Sequence, residues 1–237
     1  MRATDCARLA VALVSRSGHC REVALALERN GAELIHVTGR SDVAHARCLA
    51  AGRLLATDRE WLAWLDDDVD APLDNFLDSW SEAEAYRARG IEAAIAGRYV
   101  SRLNPLTYAA RRIEHPGPTL AHPDVYAGMG AFVYHREALQ AVAAKVPTIE
   151  PLATGASVDP YPAAFATGPQ QDQQGRWVWG PEDFCHCAYL NAVGVRVLYS
   201  RRCYAHGHRW PSVWTKLLGS EGEAVDDDPG VVFESSH

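Results

Sequence analysis

Lysine is nearly absent from this chain of 237 residues. Only Lys145 and Lys216 are lysines, so 21 of the 23 basic residues are arginines. Arginine suits phosphate recognition, but in an alanine-rich chain it also fits a GC-rich coding sequence. The formal net charge of −7 argues against a large nonspecific nucleic-acid surface, although a local basic cleft would be compatible with it.

Long apolar runs are also missing. No segment approaches the roughly 20 apolar residues that a membrane-spanning helix needs, and the first residues lack the apolar centre of a signal peptide. The six cysteines are scattered and do not form the framework of a disulfide-rich secreted domain. We therefore expect a cytoplasmic protein with reduced thiols and no membrane span.

The rest of the composition is that of an ordinary globular protein. Hydrophobic residues make up 48% of the chain and charged residues 22%, and the length allows a substantial core in one domain. We expect residues 1–219 to form this domain. Residues 220–237 begin with an acidic, polar stretch and are expected to be a solvated tail or a lid.

Segments typical of strands and helices alternate along the chain. Residues 7–15 and 33–38 read as strands around a helix that ends at Asn30-Gly31. Strand, helix and strand with short connections predict a parallel βαβ start and an α/β sheet. Further on, we expect a helix capped by Ser41 or Asp42.

The second half of the chain is expected to continue in the same way. Helices are predicted at 70–89 and 136–145, strands at 91–100 and 107–112, and a glycine-bearing turn that runs into a strand at 124–134. A helix beginning near Pro181 and a strand at 195–199 come last. Residues 147–176 show no period, so we expect a mobile loop beside the site.

One strand ends in an unusual group of acids. The apolar residues 61–65 are followed directly by Asp66, Asp67 and Asp68. Adjacent carboxylates repel one another, and a hard cation such as Mg²⁺ or Mn²⁺ would relieve that repulsion. Ligands of open α/β sheets bind outside the carboxyl ends of the strands, where these acids would project. The alternative is a simple turn, in which Asp is common.

A second acidic pair lies in the segment WGPED (179–183). Pro181 suits the first position of a helix, and Glu182 and Asp183 then occupy the first turn, where the helix dipole favours anions. The pair either only stabilises the helix or supplies a carboxylate base beside an aromatic wall.

The late histidines and the cysteines allow two kinds of metal site. His206 or His208 could complete a divalent site built from carboxylates, or lie at the surface. A zinc-binding structural module would instead draw on Cys185, His186, Cys187, Cys203, His206 and His208. The Cys-x-Cys spacing disfavours this module, because it points two thiols of a helix about opposite ways.

In their order along the chain, these motifs resemble the GT-A-fold glycosyltransferases, which use nucleotide-sugar donors. The shared features are LDDDV (65–69) as a DxD motif, YAGMGA (126–131), WGPED (179–183) and a late histidine. Ala46-Arg47 is similar to an Ala-Arg-Asn signature of related enzymes, with Cys48 in place of the Asn. The resemblance covers roughly residues 7–210.

This resemblance implies a single α/β domain with a GT-A-like, Rossmann-type mixed sheet flanked by helices. It also implies a metal-dependent glycosyltransferase that moves a sugar from a UDP- or GDP-sugar to an acceptor hydroxyl. Asp183 would be the base of an inverting transfer, and Glu182 would contact a sugar. A retaining enzyme would carry the same DxD motif, so the stereochemistry stays open.

The resemblance further implies the binding residues. Asp68 would hold Mn²⁺ or Mg²⁺ with Asp66, and either His206 or His208 would be the late ligand. The nucleotide would be held by Ser15, Arg16, Arg47, Asp66 and Asp67, and the sugar or acceptor by Tyr126, Gly128, Gly130 and Trp179.

The acceptor and two competing activities stay open at this point. The acceptor is not specified by the sequence, and nucleic acid is disfavoured by the acidity of the chain without being ruled out. A nucleotidyltransferase on a similar fold is the nearest alternative, but the loop at 15–18 has too little glycine to hold a triphosphate. Intact carboxylates at the matched positions argue against a sugar-binding protein without turnover.

Overall fold

A computed structural model describes residues 6–15, 22–38, 42–67, 69–70, 72–99, 110–112, 125–150, 159–171 and 177–206. The helices in these ranges are α1 (Glu22–Arg29), α2 (Val43–Ala56), α3 (Leu73–Arg87), α4 (Arg136–Ala143) and α5 (Glu182–Ala192). The strands are β1 (Leu9–Ser15), β2 (Glu33–Thr38), β3 (Trp61–Asp66), β4 (Val69–Asp70), β5 (Ala93–Tyr99), β6 (Ala110–Arg112), β7 (Val125–Ala127), β8 (Ala131–His135), β9 (Thr148–Ile149), β10 (Tyr161–Pro162), β11 (Gly168–Gln171), β12 (Trp177–Gly180) and β13 (Arg196–His206).

A seven-stranded mixed sheet in the order β2-β1-β3-β8-β5-β13-β4 forms the centre of the protein. β1 runs parallel to β2 and β3, and β5 runs parallel to β13. β8 is antiparallel to both of its neighbours, and β4 is antiparallel to β13. The prediction of an α/β domain with a mixed sheet flanked by helices is therefore confirmed.

Helices cover both faces of this sheet. α1 and α3 contribute to the core on one face, and α2, α4 and α5 to the core on the other. Along β1, Leu9, Val11 and Leu13 point to the first core, whereas Ala10 and Ala12 point to the second. A strand that is buried on both sides needs apolar residues at every position, which explains the continuous apolar run in the sequence. None of the described helices has the length and hydropathy to cross a membrane.

The predicted C-terminal boundary of α1 and the predicted N-cap of α2 are confirmed. The Asp42 carboxylate caps α2 by accepting hydrogen bonds from the backbone N–H groups of Ala44 and His45, at 2.9 and 3.3 Å. Gly31 follows α1 with a φ of +98°, a conformation that strongly favours glycine.

Several predicted elements differ from the structure. The helix predicted from residue 70 begins at Leu73, because Val69 and Asp70 instead pair with β13 as β4. The glycine-bearing turn and the following strand predicted at 124–134 are present, but a short strand, β7, precedes the turn. The last strand, predicted at 195–199, is longer and continues to His206.

The prediction of a mobile loop at 147–176 is also wrong for the part that the structure describes. It contains β9, β10 and β11, and residues 161–165 (YPAAF) are buried. This short apolar run packs against α2, where Gly52 leaves room for Tyr161. Burial, which local periodicity does not reveal, orders the segment.

Candidate active site

The carboxyl ends of β1 and β3 bring the first site residues together. In the parallel pairing, Val14 lies opposite Asp66, so Ser15, the last residue of β1, lies beside Asp67, which follows β3. The Ser15 hydroxyl donates a hydrogen bond of 2.5 Å to Asp67 Oδ2. The backbone N–H of Asp66 donates to the carbonyl of Gly130 at 3.0 Å, which adds the turn before β8 to the same edge.

Arg47 of α2 connects this edge to the start of α5. Its Nη2 donates to both carboxylate oxygens of Asp66, at 2.8 and 2.9 Å, and its Nη1 donates to Glu182 Oε1 at 2.7 Å. Burial alone would lower the pKa of Arg47, but the two carboxylates raise it above the ordinary value. The guanidinium is therefore a permanent cation between two acids from distant parts of the chain.

Asp183 is the neighbour of Glu182 but has a different environment. α5 begins directly after Pro181, and the backbone N–H of Phe184 donates to Asp183 Oδ1 at 2.8 Å. Burial raises the pKa of Asp183 to about 6, against the opposing effect of the Arg47 charge. The carboxylate of Glu182 adds to the increase. Asp183 is thus ionised at neutral pH and more basic than an ordinary aspartate.

The backbone also places the late histidine near the acids that end β3. β4 pairs with the end of β13 so that His206 lies opposite Val69, the residue after Asp68. Two further predicted residues lie on strands, Tyr126 in β7 and Trp179 in β12. Gly128 and Gly130 are buried in the turn that precedes β8. Arg16, Asp68 and His208 lie outside the described residues, as does the predicted tail 220–237.

The chemistry of this cluster suits a divalent cation. Arg47 joins the carboxylates of Asp66 and Glu182, and Asp183 lies close enough to both for their charges to affect its pKa, whereas Asp67 is hydrogen-bonded to Ser15. An excess of oxygen donors and negative charge is what Mn²⁺ and Mg²⁺ require. Within the described side chains, no three His, Cys, Asp or Glu residues by themselves form a metal-binding group. The predicted ligands Asp68, His206 and His208 are not among the described side chains.

Three members of the alternative zinc module, Cys185, His186 and Cys187, have partners inside the protein. His186 donates from Nδ1 to the carbonyl of Ala164 at 3.0 Å and accepts at Nε2 from the Tyr134 hydroxyl at 3.1 Å. Burial lowers the pKa of His186 to about 3, so the ring is neutral. The thiols of Cys185 and Cys187 donate to the backbone carbonyls of Gly180 and Ala127. These three buried side chains make hydrogen bonds within the core of the protein.

Phe165 is a residue behind the site that the sequence reasoning missed. Its backbone N–H donates to Cys48 Sγ at 3.3 Å, and its ring stacks on His186 with the centroids 3.9 Å apart. It joins α2, which carries Arg47, to α5, which carries Asp183. The run YPAAF (161–165), apolar and aromatic within a polar stretch, was the available indication in the sequence.

Comparison with protein-family models and with curated protein sequences gives no match. Among solved structures, A197 from STIV is 23% identical, with a TM-score of 0.42 over 55% of this chain and 66% of that chain, just under two thirds of its length. Glucosyl-3-phosphoglycerate synthase from Mycobacterium tuberculosis, solved with Mn²⁺, UDP-glucose and phosphoglyceric acid, is 10% identical, with a TM-score of 0.40 over 92% and 79%. The same synthase with Mg²⁺ and UDP is 11% identical, with a TM-score of 0.37 over 86% and 74%. Similarity at this level does not identify an activity, which has to be argued from the side chains of this chain.

Proposed function

We propose that this protein is a metal-dependent glycosyltransferase that moves a sugar from a nucleoside-diphosphate sugar to an acceptor hydroxyl. The observation that supports this most directly is the bridge made by Arg47. It joins Asp66 of the LDDDV segment to Glu182 of the WGPED segment, two motifs more than a hundred residues apart. Carboxylates for a metal and a carboxylate base thereby belong to one cluster.

The donor side of this site lies at the ends of β1 and β3. Ser15 holds the Asp67 carboxylate, and with Arg16 it would help to bind the nucleotide. Asp66 and Asp68, with His206 or His208, would hold Mn²⁺ or Mg²⁺. The metal, when bound, would neutralise the charge that builds on the leaving diphosphate. A UDP- or GDP-sugar is the proposed donor.

The acceptor side lies at the start of α5. Asp183 accepts the proton of the acceptor hydroxyl. At the same time the acceptor oxygen forms a bond to the anomeric carbon, and the bond between that carbon and the diphosphate oxygen breaks. One base suffices for such a displacement, which inverts the anomeric centre. A base with a pKa of about 6 is ionised at neutral pH and retains driving force for proton transfer.

The remaining residues would shape the sugar pocket. Glu182, fixed by Arg47, is proposed to contact the acceptor or the donor sugar. Tyr126, Gly128, Gly130 and Trp179 are proposed to line the pocket. The buried glycines of the turn before β8 let the backbone approach a bound molecule closely.

Thermal unfolding with nucleotides tests this proposal. UDP, GDP, CDP and TDP are each added with and without Mn²⁺ to the native chain, to Asp68→Ala and to Asp58→Ala. Asp58 is the matched control, because it lies at the opposite end of β3 and its side chain is 93% exposed.

We expect one diphosphate to stabilise the native chain only with metal. At about 100 times its dissociation constant, it should add about 2.7 kcal/mol. The effect should disappear in Asp68→Ala and persist in Asp58→Ala. The proposal is wrong if no diphosphate stabilises the native chain with metal, and tightly bound zinc in the purified protein would then point to the Cys/His alternative.

A further inference from the structure

Arg47 links two elements of the site. A single guanidinium is bonded to the last residue of β3 and to the first residue of α5. We propose that Arg47 is a positioning residue that sets the spacing between the donor-binding carboxylates and the base Asp183, without contacting the substrate itself. This inference rests on the proposed function.

Burial and bonding keep Arg47 away from a ligand. Its side chain is only 4% exposed, and both terminal nitrogens are occupied by carboxylates at 2.7 to 2.9 Å. To reach a phosphate, it would have to release Asp66 and Glu182 and leave them without their cation. Removing one partner from a buried ion pair is strongly unfavourable, so this exchange is disfavoured.

The helix that carries Arg47 is firmly held. Ala46, Cys48, Leu49 and Ala50 next to it on α2 are all buried. Phe165 also bonds to Cys48 and stacks on His186 of α5. The guanidinium therefore projects from a rigid support, which is what precise placement of reacting groups requires.

The geometry of the guanidinium explains why arginine is needed here. Its planar group holds Asp66 through one nitrogen and Glu182 through the other. A lysine ammonium keeps the charge but lacks this fixed fork. A displacement of about 1 Å at a reacting centre can cost about 100-fold in rate.

The first experiment compares Arg47→Lys and Arg47→Gln with Arg53→Gln, an exposed arginine on the same helix. Sugar transfer or donor hydrolysis gives kcat and KM, and calorimetry gives the affinity for the diphosphate that stabilises the native chain with Mn²⁺. We expect Arg47→Lys to lower kcat about 100-fold and to change the diphosphate affinity less than about threefold. Arg47→Gln should lower kcat further, and Arg53→Gln should behave as the native chain.

Two results would overturn the positioning role. A loss of diphosphate affinity in Arg47→Lys with unchanged kcat would mean that Arg47 contacts the donor. A native kcat in Arg47→Lys would mean that the fork is not needed.

A second experiment needs no ligand. Urea unfolding is followed for Arg47→Gln, Glu182→Gln and the double variant. If Arg47 holds Glu182, the double variant should unfold at a urea midpoint no lower than that of Arg47→Gln, because a neutral amide at position 182 no longer needs the cation. Should Arg47→Gln fail to fold, Arg47→Lys replaces it.

The two experiments separate failure of the inference from failure of the proposed function. Additive midpoints in a chain that binds a diphosphate with metal overturn the role of Arg47 alone. A native chain that binds no diphosphate overturns the proposed function, and the role of Arg47 in transfer with it, whatever the urea midpoints show.

Discussion

Glu182 and Asp183 are adjacent in sequence but differ in what they contact. Glu182 is neutralised by Arg47, whereas Asp183 receives a backbone N–H and is raised in pKa by burial and by Glu182. Two acids in different environments can take different chemical roles. Here the neutralised residue is suited to binding and the more basic residue to proton transfer.

The pH dependence of transfer should report Asp183. Because its pKa in the free protein is about 6, kcat/KM should be constant above pH 7 and fall about tenfold per unit below pH 6. Asp183→Asn should lower kcat by about 10² to 10⁴-fold at pH 7.5 and leave the affinity for the diphosphate with Mn²⁺ unchanged. Steady-state assays from pH 5 to 8 and calorimetry test this. Full activity of Asp183→Asn would assign the base to another residue.

The same variant has a stability signature. The pKa of Asp183 is raised from an ordinary value of about 3.9, so the folded chain loses stability as pH rises from 4 to 6. Below pH 4 the acid is protonated in both states and contributes nothing. Asp183→Asn should therefore be more stable than the native chain at pH 7, but not at pH 4. Urea unfolding at both pH values is the measurement, and an equal difference at both would contradict it.

Single residues were predictable by type but not by partner. The sequence marks Asp66, Glu182 and Asp183 because acids at the end of an apolar strand or in a first helical turn are visible locally. Arg47 is marked only through the resemblance, as part of the Ala46-Arg47 signature and as a nucleotide-binding residue, and not as a partner of Asp66 and Glu182. Its bonds reach 19 and 135 positions along the chain, and such pairings depend on how α2 and α5 pack.

At the scale of elements, the strands buried on both faces are the most predictable. β1 and β3 can be recognised in the sequence as continuous apolar runs, because a strand that is buried on both faces needs an apolar side chain at each position. β4, β9 and β10 have only two residues each, too few for a period, and they form because tertiary packing orders them. Sequence patterns therefore miss the small elements that surround the site.

Replacing Gly52 tests the packing of the segment at 159–166 against α2. Replacing glycine by alanine in a helix normally stabilises a protein by about 0.5–1 kcal/mol. Here a Cβ at residue 52 would lie 2.6 Å from Tyr161 Cβ, so Gly52→Ala should destabilise by about 1–3 kcal/mol. Urea unfolding measures this, with exposed Arg53→Ala as a control expected within about 0.5 kcal/mol of the native chain. A gain in stability in Gly52→Ala would contradict the packing.

Tyr134 connects β8 to α5 through a buried network. Its hydroxyl accepts from Trp64 Nε1 at 2.8 Å and donates to His186 Nε2. Tyr134→Phe leaves one donor and one acceptor buried without that partner, at a cost of about 1–3 kcal/mol for each. Denaturant unfolding tests this against Tyr86→Phe, a partly exposed tyrosine expected to change stability by less than about 0.5 kcal/mol. Equal stability of the two variants would show that the network adds nothing.

At the scale of the whole molecule, the order of motifs predicts more than any single motif. The sheet order places β1, β3 and β8 next to one another, and the β4–β13 pairing brings His206 to the acidic strand. The topology is consistent with one site assembled from segments spread over most of the chain. Local patterns could not supply it, because the antiparallel insertion of β8 and the return of β13 to β4 are long-range pairings.

The acidic end of the chain gives the last prediction. Residues 220–237 hold six carboxylates and no lysine or arginine, so ending the chain at Gly219 changes the formal net charge from −7 to −1. In the described part of the chain, the buried residues of both cores extend only to Val197. We therefore expect the shortened chain to keep its melting temperature within about 2 °C, a stability change well below 1 kcal/mol.

The shortened chain should lose solubility near neutral pH, because a net charge near zero promotes association. Differential scanning calorimetry and light scattering measure the two effects. A lid would give another result: an unchanged melting temperature without ligand, but weaker binding of the diphosphate with Mn²⁺ and a lower kcat.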